Sequence, residues 1–162
     1  MSRAEARAIA SAVFGDLTRA VGSATPTSNN GLPSGGTVGP TVSASINGNC
    51  SNGGAIGGTF TLTSDLNQSG DGSVSGKVSV AAAHCNIDTG ARIISVDGGY
   101  DFAFNVGLSN NHQSSDFVWV ATGSLAWTGG SCTLDYTVRI SRNGTRTVTG
   151  TVCGVDVRGA SV

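Results

Sequence analysis

Cys132-Thr-Leu-Asp-Tyr-Thr-Val-Arg-Ile-Ser-Arg-Asn-Gly-Thr-Arg-Thr-Val-Thr-Gly-Thr-Val-Cys153 is the stretch that decides the fold. Leu134, Tyr136, Val138 and Ile140 alternate with Thr133, Asp135, Thr137 and Arg139. A period of two is that of a strand with one face in the core and one in water. Arg142-Asn143-Gly144 reads as a turn,. With Ser141 opposite Thr145, Val138 meets Val148, Tyr136 meets Gly150 and Leu134 meets Val152, so every apolar residue faces one way. A strand glycine leaves bare backbone that a cross-strand ring can cover. Past Val152 the inward set becomes Cys153, Val155 and Val157, which predicts a bulge at Cys153-Gly154 aimed at Cys132,.

The same ring-on-glycine solution recurs in two more hairpins. Phe60 falls opposite Gly76 if Leu62 pairs with Val74, and Phe102 falls opposite Gly123 if Phe104 pairs with Ala121. Val42, Ala44 and Ile46 mark an earlier strand, and Arg92 to Val96 a short further one. Thr128-Gly129-Gly130-Ser131 reads as a turn that sets Trp127 opposite Cys132 and Leu125 opposite Leu134. Residues 41–162 therefore predict an all-β domain of seven to nine antiparallel strands. A flat sheet would expose its apolar face, so the expected form is a sandwich or a barrel.

Upstream the period changes. Residues 1–21 predict an N-terminal amphipathic helix, opened by a capping box from Ser2 to Glu5 and stopped at Gly22,. Ile9, Val13, Leu17, Ala20 and Val21 recur at helical spacing, with Ala6, Ala10 and Phe14 on the adjoining stripe,. An isolated helix of this length is marginal in water, so it must dock, either on its own β-domain or on a neighbour. In the second case Ile9, Val13, Phe14, Leu17 and Val21 form the partner-binding face. Residues 22–40 hold all three prolines and many Gly and Ser, the composition of a flexible linker,.

Composition excludes several function classes. In 162 residues there are nine Lys and Arg against ten Asp and Glu, a net charge of −1, which offers no basic patch for nucleic acid,. No apolar run is long enough for a transmembrane segment. Four cysteines and no Cys-x-x-Cys pair argue against zinc and for an oxidising compartment,. Hairpin geometry pairs Cys132 with Cys153, and Cys50 pairs with Cys85 by elimination; the opposing reading is four buried thiols. Met1 is followed directly by polar Ser-Arg-Ala-Glu rather than a signal peptide, which suggests that an export sequence was removed,.

No nucleophile elbow, P-loop, metalloprotease motif or dinucleotide fingerprint is present. The carboxylates are scattered; Asp65 with Asp71, Asp97 with Asp101 and Asp135 with Asp156 are the nearest to pairs, and each reads as solvated. His84 precedes Cys85, but a bonded sulfur is no nucleophile. His112 lies in a polar loop. No catalytic residue is assigned and no cofactor is expected, with one cation candidate. In Asp65-Leu-Asn67-Gln-Ser69-Gly-Asp71, oxygen side chains recur at alternate positions, a spacing that lets a turn wrap calcium,. Gly76 stands where an EF-hand has its bidentate glutamate, so the competing reading is a polar hairpin loop,. Tyr100, Phe102, Phe104, Phe117, Trp119, Trp127 and Tyr136 pack as core or line an apolar ligand pocket,.

Ser2-Arg-Ala-Glu-Ala-Arg-Ala-Ile-Ala, Cys50-Ser-Asn-Gly-Gly, Gly123-Ser-Leu-Ala-Trp and Thr149-Gly-Thr-Val-Cys-Gly154 together resemble a loose group of bacterial cell-envelope proteins, often lipoproteins. They combine an Ala-rich helix, a Gly/Ser/Pro linker and Thr/Ser/Gly-rich strands. The resemblance implies a secreted or cell-envelope location and a lipid-anchored precursor, and carries no functional residues. The expected function is a non-enzymatic binding or accessory module. The alternative is a self-assembling structural subunit of a filament or surface layer, engaging a neighbour through the helix or through Thr37 to Ile46.

Overall fold

The computed structural model describes residues 1–28, 41–110 and 112–162, with the backbone alone at 25–28. Helix α1 (Arg3–Gly22) is followed by strands β1 (Thr25–Ser28), β2 (Thr41–Asn49), β3 (Ala55–Leu66), β4 (Gly72–Asp88), β5 (Ile93–Ser109), β6 (His112–Gln113), β7 (Phe117–Trp127), β8 (Gly130–Ile140), β9 (Arg146–Val152) and β10 (Val155–Asp156). Pairing is antiparallel throughout. The sheet is a meander that runs β1-β2-β3-β4-β5-β7-β8-β9-β10, with β6 beside β5. Residues 29–40, including the Thr37 to Pro40 part of the expected partner segment, lie outside the described residues. Thr25–Ser28, read above as linker, pairs with β2 at the sheet edge, a position where Pro26 is tolerated,.

The helix forms as its ends dictate. The Ser2 side chain accepts from the Glu5 N–H and Glu5 accepts from the Ser2 N–H, completing the capping box,. Its buried stripe is Ala6, Ile9, Ala10, Val13, Phe14, Leu17 and Ala20. Both β2 and β9 touch it. In a flat sheet these strands would stand six spacings apart, about 29 Å. A helix of 20 residues is about 30 Å long, so α1 spans that width: its first turn meets β10 through Arg3 and Asp156, and its C-terminal half meets the β2–β3 turn through Asp16 and Ser51,. The sheet packs one face against the helix. Among the described residues it does not close, so the form is sandwich-like. Glycines sit where it coils: Gly123 has φ 150°, and a Cβ there would stand 2.5 Å from the Tyr100 Cα.

Three expected registers are corrected, each by two residues. Phe60 pairs with Val78 and Leu62 with Gly76. The ring over Gly76 comes instead from Phe104 of β5. The β3–β4 loop sets this register by closing from Leu66 to Gly72, with the Asn67 N–H donating to the Asp71 carbonyl at 2.9 Å. Phe102 pairs with Ala121, and Tyr100 covers Gly123, because part of the β5–β7 connection folds back as β6 on β5. Trp127 pairs with Gly130 and Leu125 with Cys132, since the turn is the two residues Thr128 and Gly129. A two-residue slip leaves every side chain on its expected face. Hairpin β8–β9 has the expected register, with Tyr136 on Gly150 and Leu134 on Val152. Cys153-Gly154 is a two-residue turn at φ 54° and 72°, not a bulge; it reverses the chain so that Val155 pairs with Val152. Arg92 to Val96 is no separate strand, for β5 runs unbroken from Ile93.

Candidate functional site

The inner face of the sheet, on which α1 packs, has two parts. Where α1 crosses, Phe102, Leu125, Leu134, Tyr136 and Val96 are 0–2% exposed. The Tyr136 hydroxyl donates to the Ala10 carbonyl at 3.2 Å, and Phe14 meets Phe102 edge-on at 6.2 Å. Burial pushes the Tyr136 and Tyr100 phenols well above the usual tyrosine range. Toward the other end of the strands, Phe60, Leu62, Phe117, Trp119 and Ile140 are half-buried, around a Phe104 that is 8% exposed.

These rings form one contiguous cluster. Phe104 stacks on Phe117 with centroids 5.3 Å apart and on Phe60 at 6.2 Å. Trp119 lies 4.6 Å from Phe104 and 5.2 Å from Phe117. The Phe14 ring reaches Trp119 at 6.1 Å and marks the boundary with the helix-covered part. Parity places them there: Phe104 in β5 and Phe117 and Trp119 in β7 all point inward, and Phe60 in β3 lies in the same layer. The expected aromatic set is thus divided, with Tyr100, Phe102 and Tyr136 in the core and Phe104, Phe117 and Trp119 in the candidate site. Trp127 lies elsewhere, lining a shallow depression with Arg92, Ile93 and Ser95. Phe60 and Leu62 join this set although neither belongs to the expected aromatic group; their alternation in β3 is the sequence signal for them.

Ile9, Val13, Phe14 and Leu17 are buried in the chain's own core, and Val21 packs half-buried at its margin. Asp16, which the sequence did not single out, is 5% exposed and accepts from the Ser51 N–H at 3.0 Å, from the Ser51 hydroxyl, and from Arg19 at 3.2 Å. The helix is thereby pinned to the β2–β3 turn. Thr41 to Ile46 lies between β1 and β3, paired with both over residues 43–45.

In the Asp65 loop the side-chain oxygens of Asn67 and Asp71 accept from protein donors. Asp65 pairs with Ser73 in the sheet. The Asn67 side-chain carbonyl accepts from the Ser69 and Asp71 N–H groups, both at 2.9 Å. Asp71 accepts from the Asn110 N–H at 2.8 Å and the Ser109 hydroxyl at 2.9 Å, which hold its carboxyl below the usual range. The loop's acceptors tie β3–β4 to the end of β5. Among the described residues no three His, Cys, Asp or Glu stand together as a metal site.

The disulfides are Cys50–Cys85 and Cys132–Cys153, as expected. His84 sits in a bulge of β4 at φ 52°, its N–H donating to Asp97 at 2.8 Å and its exposed ring Nδ1 3.2 Å from the same oxygen. His112 is paired with Ser109. Asp135 and Asp156 flank β9, each opposite Thr151. No helix among the described residues is long and apolar enough to cross a membrane. Comparison of the chain with protein-family models, with curated proteins and with solved structures finds no match.

Proposed function

We propose that the chain is a non-enzymatic binding or accessory domain of a secreted or cell-envelope setting, taking an apolar ligand at the Phe60–Phe117–Trp119 end of its inner face. The carrying observation is the half-buried ring cluster: five aromatic rings, Phe14 included, are linked by a chain of contacts centred on Phe104 and Trp119, and three of them, Phe60, Phe117 and Trp119, belong to half-buried residues. Apolar clefts with few polar groups are the usual sites for small apolar ligands. Two disulfides are compatible with an oxidising location,. Near-zero net charge gives no support to a nucleic-acid partner,.

The test uses Trp119 fluorescence in a Trp127→Phe background, titrated with dodecanoate. A saturable change with a higher melting temperature supports the reading. A linear, unsaturable response with an unchanged melting temperature sinks it. The alternative is a filament subunit engaging a neighbour through the helix or Thr37 to Ile46, and it requires the buried helix stripe or the paired Thr41 to Ile46 to leave its own chain. Large particles in light scattering would favour that alternative.

A further inference from the structure

The two disulfides fasten the two halves of α1 in different ways. Cys50 and Cys85 are 4% and 3% exposed, and Ser51 beside them holds Asp16 in the C-terminal half of the helix. Cys153 is half-buried, and with Cys132, Ser124, Ser131 and Thr133 it lines a shallow depression of about 280 Å³. It also occupies the left-handed region, at φ 54°, which a non-glycine side chain seldom adopts,.

Beyond the Cys153 turn the chain becomes a strap along the N-terminal half of α1. Arg3 pairs with Asp156 at 2.5 Å and also donates to its carbonyl. The Arg7 guanidinium donates to the Arg158 carbonyl. Val157 is fully buried, and Arg146 donates to the Val162 carbonyl at 2.6 Å. In the sheet, β10 pairs with β9 through two residues, extended by the Val157 N–H, which donates to the Gly150 carbonyl at 3.1 Å. The strap is therefore a short element whose root is the Cys132–Cys153 bond.

We propose that Cys132–Cys153 is a redox-sensitive fastener, and that its selective reduction by a dithiol loosens residues 154–162 and with them the N-terminal half of α1. A dithiol's thiolate attacks the Cys153 sulfur, the S–S bond breaks, and Cys132 leaves as a thiolate that takes a proton from water. The second thiol of the reductant then attacks the mixed disulfide and releases Cys153. The protein gains two electrons and two protons, and the dithiol becomes a disulfide. The C-terminal half of α1 stays pinned, because Asp16, Ser51 and Cys50–Cys85 are untouched. This inference stands apart from the ligand proposal.

The experiment treats the full-length native chain with graded dithiothreitol, alkylates it, and maps the peptides. Cys132 and Cys153 are expected to label at reductant concentrations at least tenfold below those needed for Cys50 and Cys85. In the selectively reduced protein, amides of residues 3–10 should exchange hydrogen at least tenfold faster, while residues 16–20 keep their rate. Labelling of both disulfides together, labelling of Cys50 and Cys85 first, or uniform loss of protection along the chain would overturn the proposal. Asp156→Ala, with both disulfides intact, checks the strap independently. Faster exchange confined to residues 3–10 is expected, and an unchanged rate there would overturn the strap's role.

Discussion

The helix-covered and uncovered parts of the inner face are built from the same kinds of residue at the same period, yet they differ in burial. Phe102 and Tyr136 are 0% and 1% exposed, whereas Phe117 and Trp119, in a strand beside them, are half-buried. The difference is one of dimensions. Strands β5, β7 and β8 are 17, 11 and 11 residues long. A single helix about 10–12 Å wide covers only three or four residues along a strand rising about 3.3 Å per residue. One helix cannot dry the whole inner face, and the rings it leaves are the site proposed for a ligand.

The largest expected effect comes from emptying the covered part. Phe102→Ala should cost about 3–5 kcal/mol, because a fully buried ring leaves a cavity; urea unfolding measures it. Asp16→Ala should cost about 1–3 kcal/mol by leaving the Ser51 N–H without its acceptor, and it should raise hydrogen exchange at residues 16–20. Phe117→Ala should cost less than Phe102→Ala, since its ring is half-buried, while weakening dodecanoate binding at least tenfold. A loss as large as that of Phe102→Ala would erase the distinction between the two parts.

Acid sharpens the comparison along the helix. Asp156 is held below the ordinary carboxylate range, first by the Arg158 N–H and then by the charges of Arg158 and Arg3, and Glu5 is lowered by the Ser2 N–H and Arg92. A depressed carboxylate contributes stability that is present above its unfolded value and is lost as pH falls through the folded value. Protection of residues 3–10 should therefore decline below about pH 4, with no matching decline from pH 8 to 5. The smallest effect is expected at the Asp65 loop. Millimolar calcium should leave the melting temperature unchanged, because Asn67 and Asp71 are already committed to protein donors.

Face was legible in the sequence and register only partly so. In β2, β3, β7, β8, β9 and the later part of β5 the inward set followed from alternation, because parity survives a two-residue slip; β1 and β6, read as linker and loop, did not show it. Register followed where the turn was short and unambiguous, as at Asn143-Gly144. It failed where the loop folded back, as at β6, or where two glycines allowed a tighter turn, as at Gly129-Gly130. The helix stripe was legible from spacing, but the Asp16–Ser51 anchor was not, since it joins residues 35 apart in sequence. The candidate site was half legible. Its aromatic residues stood out, but which rings stay accessible depends on where the helix crosses, a tertiary fact that no local pattern carries.

The most direct test of the two-part inner face is a nuclear magnetic resonance titration of the oxidised protein with dodecanoate, following side-chain signals. Saturable shifts are expected at Phe60, Leu62, Phe117, Trp119 and Ile140, with Phe102, Leu125 and Tyr136 unmoved. Shifts spread equally over both groups, or no shifts at either, would contradict it.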